Sequence, residues 1–196
     1  MYYDFERLKK ELAENLSEKR YAHVLGVESA SVHLAEKYGA DVKKACFAAL
    51  FHDYAKCFSA EKTAAYISKY NIELNEYIKN SPNLNHGAVA AYICLNEYGI
   101  EDKDILNAVR YHTTGRENMS LLEKIICLAD YIEPGRKFDG VEKLRELAEK
   151  DLDFALYTSF NGTLINLIET DKQIAPDTFS ARDFLLKTLI ERGFIN

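Results

Sequence analysis

No stretch of this chain alternates apolar and polar residues with a period of two, and only three prolines interrupt it: Pro82, Pro134 and Pro176. Alternation is the signature of a half-buried strand, so no sheet is expected. Proline blocks a helix interior through its missing N–H and its ring. Three of them leave long tracts free for helix, each marking a break between helical segments. The fold class read from this pattern is all-α, and 196 residues suit one compact domain spanning 1–196.

Capping chemistry divides the tracts. A first helix runs from Asp4 to about Leu16. Ser17 starts a second, which reaches Tyr38 and stops at Gly39, a residue at ease in the left-handed conformation that ends helices. Asp41 caps a third, reaching His52-Asp53. Ser59 or Ala60 opens another, to about Tyr70, and Asn71 to Asn80 is short and polar. Asn83 begins a helix carrying His86 and ending at Tyr98, and Asp102 to Tyr111 leads to His112. Ser120 and Glu123 form a capping box. Its helix runs to Ile132 and stops at Glu133-Pro134-Gly135-Arg136. Segments from Gly140 to Lys150, Leu152 to Thr170 and Asp177 to Arg192 complete the chain.

The helical tracts bring chemistry with them. Of five histidines, four fall into an order with carboxylates: His23, the doublet His52-Asp53, His86, His112 and then Asp130. Neutral imidazoles and carboxylates are ligands of divalent transition metals. Asp130 lies in a nearly apolar helix, where an unpaired carboxylate is costly. Either a metal or a buried Arg or Lys must offset it. His52 and Asp53, near a helix end, can converge on one ion or merely cap the helix. Lys56 follows Asp53 by three residues on the same helical face. It reads either as a phosphate-neutralising group or as a surface lysine. Arg136 closes the turn after Asp130 and reads as a phosphate fork or a solvated loop arginine. Arg20, one turn before His23, faces the same cleft if the helix is regular. His33 sits about 80° from the His23 face and is left out of the group.

The remaining composition narrows the partners. A net charge of −6 argues against a nucleic-acid groove. No apolar run approaches the ~18 residues of a membrane span. The opening residues lack a basic-then-apolar leader layout. Cys46, Cys57, Cys94 and Cys127 fit no C-x-x-C spacing. Cys46, Cys94 and Cys127 read as core-filling thiols, and a reduced, cytoplasmic setting is expected.

The spaced pattern His23, His52-Asp53, Asp130 resembles the HD superfamily of metal-dependent phosphohydrolases. The segments His52-Asp53-Tyr54-Ala55-Lys56, Asn85-His86-Gly87, His112-Thr113-Thr114-Gly115 and Ala129-Asp130-Tyr131-Ile132-Glu133-Pro134-Gly135-Arg136 are similar to one branch, the bacterial symmetrical bis(5′-nucleosyl)-tetraphosphatases. That resemblance implies a single HD-domain helical bundle that binds iron and cuts diadenosine tetraphosphate into two ADP. It implies His23, His52, Asp53 and Asp130 as ligands of a first metal. His86 and His112 either hold a second metal bridged by Asp53 or donate to a product phosphate. It also sets Thr113, Arg136 and the segment Gln173, Ile174, Ala175, Pro176, Asp177 and Thr178 near the nucleotide, and Arg20, from its place one turn before His23, is expected to bind substrate there too. Asp53 and Lys56 are the expected catalytic pair.

The residues by themselves leave manganese, cobalt, nickel or zinc open beside iron. They also leave open another HD nucleotide phosphohydrolase, acting on a nucleoside monophosphate, a triphosphate or a guanosine alarmone. A metal-containing nucleotide-sensing module is the reading from another class. A homodimer is open as well.

Overall fold

The computed structural model describes residues 3–195, and among them it forms eleven α-helices and no strand. These are α1 (Phe5–Asn15), α2 (Glu18–Tyr38), α3 (Val42–Phe51), α4 (Ala60–Lys69), α5 (Glu76–Lys79), α6 (Pro82–Tyr98), α7 (Lys103–Tyr111), α8 (Leu121–Ile132), α9 (Val141–Ala148), α10 (Leu152–Glu169) and α11 (Pro176–Glu191). The all-α expectation holds, and so do most boundaries, because local caps set them. Ser17 Oγ accepts from Arg20 N–H, Asp41 from Lys43 and Lys44, and Ser120 and Glu123 close the capping box. Gly39 and Gly99 end α2 and α6 in the left-handed conformation.

Two prolines start helices rather than merely separating them. Pro82 and Pro176 occupy the first turn of α6 and α11, where a missing N–H costs nothing. The short polar stretch after α4 contains the single turn α5.

α2 packs on α3 and α8, and α7 joins α3, α6 and α8 to complete the central bundle. α10 covers the far side of α8 and carries α9 and α11. α1 lies on α2 and α3, and α4 and α5 lie on α6. The core is dense around Phe47, Phe51, Leu50, Ile93, Ile125 and Leu128, none of which reaches solvent. Phe51 stacks on Tyr54 with ring centroids 4.7 Å apart and meets Tyr98 edge-on at 4.9 Å. Such aromatic contacts add to the burial energy. They anchor the end of α3, where the chain turns into His52.

Cys94 and Cys127 are buried as core thiols, but Cys46 is only half-buried, its thiol donating to Glu28 Oε1 at 3.1 Å. Among the described residues no helix is long and apolar enough to cross a membrane.

Candidate metal centre

Five helices aim side chains at one point between them. α2 brings Arg20 and His23. His52 caps α3 at its C-terminal end and Asp53 follows it. α6 brings His86, the end of α7 brings His112, and α8 brings Asp130. Close approach of α6 to α7 depends on Gly87. A Cβ there would stand 2.7 Å from the Arg110 carbonyl.

Backbone and carboxylate acceptors fix the histidine tautomers. His52 Nδ1–H donates to the Ala49 carbonyl at 2.5 Å and His112 Nδ1–H to the Val109 carbonyl at 2.8 Å. His23 Nδ1–H donates to Glu133 Oε1 at 3.0 Å. In each ring the proton is therefore on Nδ1, and the Nε2 lone pair faces the centre. The Nε2 atoms of His23 and His52 are buried without a hydrogen-bond partner. Buried polar atoms are normally satisfied, so two orphans beside two carboxylates fit a cation that is a lone-pair acceptor.

Asp53 stands in the middle. Its Oδ2 lies 3.4 Å from His52 Nε2 and 3.7 Å from His23 Nε2, while Oδ1 lies 3.1 Å from His86 Nε2 and 3.8 Å from His112 Nε2. One carboxylate thus faces two histidine pairs. Two three-donor groups can gather a metal, His23 with His52 and Asp130, and His52 with Asp53 and His112. His86 differs from the other three. Its Nδ1 is buried and unpartnered, and its Nε2 is 3.0 Å from His112 Nε2. Nothing at Nδ1 fixes its tautomer.

The electrostatics favour ionised acids beside neutral imidazoles. Burial by itself would raise the Asp53 carboxyl, but His52 and His86 outweigh it and hold it well below the usual range. For Asp130 burial is outweighed by His23, whose Nε2 lies 3.0 Å from Oδ1, and by His52 and Arg136. His112 is pushed down to about 3 by burial and by His52 and His86 beside it. Burial likewise lowers His86. His52 goes the other way: burial opposes its charge, and Asp53 more than compensates. Proton and metal therefore compete for its Nε2.

The flanking cations divide into two kinds. Arg20 Nη1 sits 2.8 Å from Asp53 Oδ2. Arg136 donates through Nη2 to Asp130 Oδ1 at 2.5 Å and through Nε to the Asp130 carbonyl at 2.7 Å. The arginine partner that a buried Asp130 required is present alongside the histidines. Lys56 is not on the face of α3, because the helix ends at Phe51 and residues 52–57 form successive turns. Its N–H bonds the Asp53 carbonyl at 2.9 Å. The amine is half-buried and lowered by burial, with Asp53, Arg20, Asp130 and Arg136 as its charged neighbours. His33 is outside the group, at the surface against Glu149 at 2.7 Å.

A cavity of about 730 Å³ opens beside the cluster and includes Thr113, Gln173, Ala175 and Thr178 in its lining. Ile174, Pro176 and Asp177 are not part of that wall, although they belong to the turn that builds it. Thr113 Oγ1 lies 2.9 Å from His112 Nε2, joining cavity and cluster.

Glu133 is the residue that sequence reasoning passed over. It is 4% exposed, and it holds His23 through one oxygen and accepts Gly135 N–H through the other. Gly26 makes room for it, since a Cβ there would meet Glu133 Oε2 at 2.5 Å. A carboxylate behind a ligating imidazole sets ring orientation and basicity. Its only signal in sequence was an acidic residue ending an apolar helix.

Residues 20–135 match the HD domain family. A Bacillus subtilis protein named bis(5′-nucleosyl)-tetraphosphatase, symmetrical, is 44% identical over 88% of this chain and 92% of its own length. A Staphylococcus aureus protein of the same name is 36% identical over 92% and 94%. The fold matches the crystal structure of a predicted HD superfamily hydrolase involved in NAD metabolism from Clostridium acetobutylicum. The TM-score is 0.91 at 41% identity, covering 96% of this chain and all of that one. On the family match and these relatives, the chain belongs to the HD-domain family, on its symmetrical bis(5′-nucleosyl)-tetraphosphatase branch.

Proposed function

We propose that this chain is a metal-dependent phosphohydrolase that cuts diadenosine tetraphosphate symmetrically into two ADP. The observation that carries this reading is the set of three imidazoles locked at Nδ1, their Nε2 atoms turned toward the carboxylates of Asp53 and Asp130. His23, His52, Asp53 and Asp130 would hold a first divalent metal. His112 and His86 would hold a second, with Asp53 between them. Iron is taken as the resident metal on the family resemblance. Such a metal supplies Lewis acidity that lowers the pKa of water and polarises a phosphoryl oxygen.

The chain's own residues then have separable tasks. Arg20, Lys56 and Arg136 bring positive charge to a strongly anionic tetraphosphate. Thr113 and the Gln173–Thr178 turn grip one nucleoside diphosphate end at the start of α11. A grip on two phosphates presents the central P–O–P linkage to the cluster. The water oxygen joins one inner phosphorus, the bridging oxygen leaves on the other ADP, and the water protons pass to solvent. No side chain becomes covalently attached.

The test compares metal-depleted protein with protein reloaded with ferrous iron or manganese. ADP should form from diadenosine tetraphosphate only after reloading. A metal-replete chain that binds the dinucleotide without turnover would overturn the reading in favour of a sensing module. Faster cleavage of a mononucleotide or an alarmone would overturn the substrate.

A further inference from the structure

A second cavity borders the cluster, separated from the first by the segment at Asn80–Pro82. It measures about 710 Å³ against about 730 Å³ for the first, and Asn80 and Pro82 line both. Its apolar wall includes Phe58, Ile67 and Ile72, and its uncharged polar groups include Ser68, Asn71 and Asn85. Among the described residues no carboxylate lines it. The charged groups there are Lys56 and Lys79, in a chain whose net charge is −6. An acid-free cavity with an apolar wall, amides and two lysines has the chemistry of a nucleotide site.

Its position ties it to the reaction centre. Ala55 and Lys56 of its lining follow Asp53 directly along the turns after α3, and Asn85 precedes His86 on α6. Lys56 therefore stands where the cavity meets the His/Asp cluster, half-buried, its charge influenced by Asp53 and Asp130 without a direct ion pair.

We infer that this second cavity receives the other nucleoside of the dinucleotide, so that the tetraphosphate runs from the first cavity across the cluster and past Lys56 into the second. The inference rests on the symmetrical hydrolysis proposed above. Two cavities of similar size flanking one centre suit a substrate with two identical ends. Whichever end enters first, the central bond lies over the cluster. Phe58, its ring already met by Lys62 Nζ at 3.7 Å, contributes to the apolar wall, and Ser68, Asn71 and Asn85 offer hydrogen bonds to base edge and ribose.

The test fills the cavity from its exposed wall. Ala64 and Ser68 lie on the outer face of α4 and line the cavity, so Ala64→Trp and Ser68→Trp insert bulk without disturbing the core. Each metal-loaded variant is assayed with diadenosine tetraphosphate and with adenosine tetraphosphate, which lacks the second nucleoside. The ratio of the two kcat/KM values should fall roughly tenfold or more, the loss expected when one base is displaced from its contacts. Calorimetric titration with ADP should show that one of the two ADP molecules bound by the parent protein is lost. Folded variants that keep the parent ratio and the parent ADP stoichiometry would overturn this inference alone. A parent protein that cleaves no diadenosine tetraphosphate would overturn the activity reading and this inference with it.

Discussion

Glu133→Gln isolates the contribution of a residue that touches no substrate. In the native arrangement its two oxygens accept from two donors, His23 Nδ1–H and Gly135 N–H. Glutamine offers one oxygen and one NH₂. If the oxygen serves His23, the NH₂ faces the Gly135 N–H, donor against donor in a buried place. If it serves Gly135, the NH₂ faces His23 Nδ1 and drives the proton to Nε2, removing the lone pair that a metal needs. Either outcome weakens the site. Loss of such a supporting partner costs 10–100-fold in metal affinity as an order of magnitude, about 1.4 to 2.8 kcal/mol. The assay is metal binding by chelator competition, well below the melting temperature, so that only folded protein is compared. Gly26→Ala should give the same direction of change without altering any donor, because its Cβ would press on Glu133 Oε2 from 2.5 Å. Metal affinity unchanged in both folded variants would refute the role given to Glu133.

Other perturbations probe the rest of the cluster. His52→Ala and Asp130→Ala should each abolish bound metal and turnover. They should also erase the rise in melting temperature that metal gives the native chain, since ligand binding stabilises only the folded state; full metal content in both would sink the ligand assignment. His112→Ala should lower the metal-to-protein ratio by about half, read by elemental analysis, whereas full metal with a raised KM would move His112 to phosphate binding. Burial lowers the Lys56 amine below its ordinary 10.5, so its charge is lost, and the rate falls, as pH rises through that lowered value. Lys56→Arg stays charged throughout and should move the alkaline limb of the pH–rate profile upward; an unmoved limb would take Lys56 out of the chemistry.

Much of the fold was legible because helix ends are local chemistry. Ser17, Asp41, Asp102 and Ser120 each bond N–H groups two or three residues ahead, and sequence alone exposes such pairs. The order of His23, His52-Asp53 and Asp130 was legible because few other arrangements justify carboxylates in apolar helices. What escaped was tertiary. Glu133 meets His23 across 110 positions, a pairing that no periodicity announces. Spacing alone puts Lys56 on a helix that ends five residues earlier, where His52 donates its Nδ1–H to Ala49 and the chain breaks into turns. In sequence Arg136 is a phosphate fork or a loop residue, and in the fold its guanidinium closes on Asp130. The second cavity is built between α4, the turns after α3 and the start of α6, so it exists only once those elements pack.

The central claim is metal-dependent attack on an inner phosphorus of diadenosine tetraphosphate. The most direct measurement is the identity of the first products formed in heavy-oxygen water, separated by chromatography and weighed by mass spectrometry. The account predicts ADP alone, with the heavy oxygen on the terminal phosphate of one ADP in each pair. AMP appearing together with ATP would contradict it.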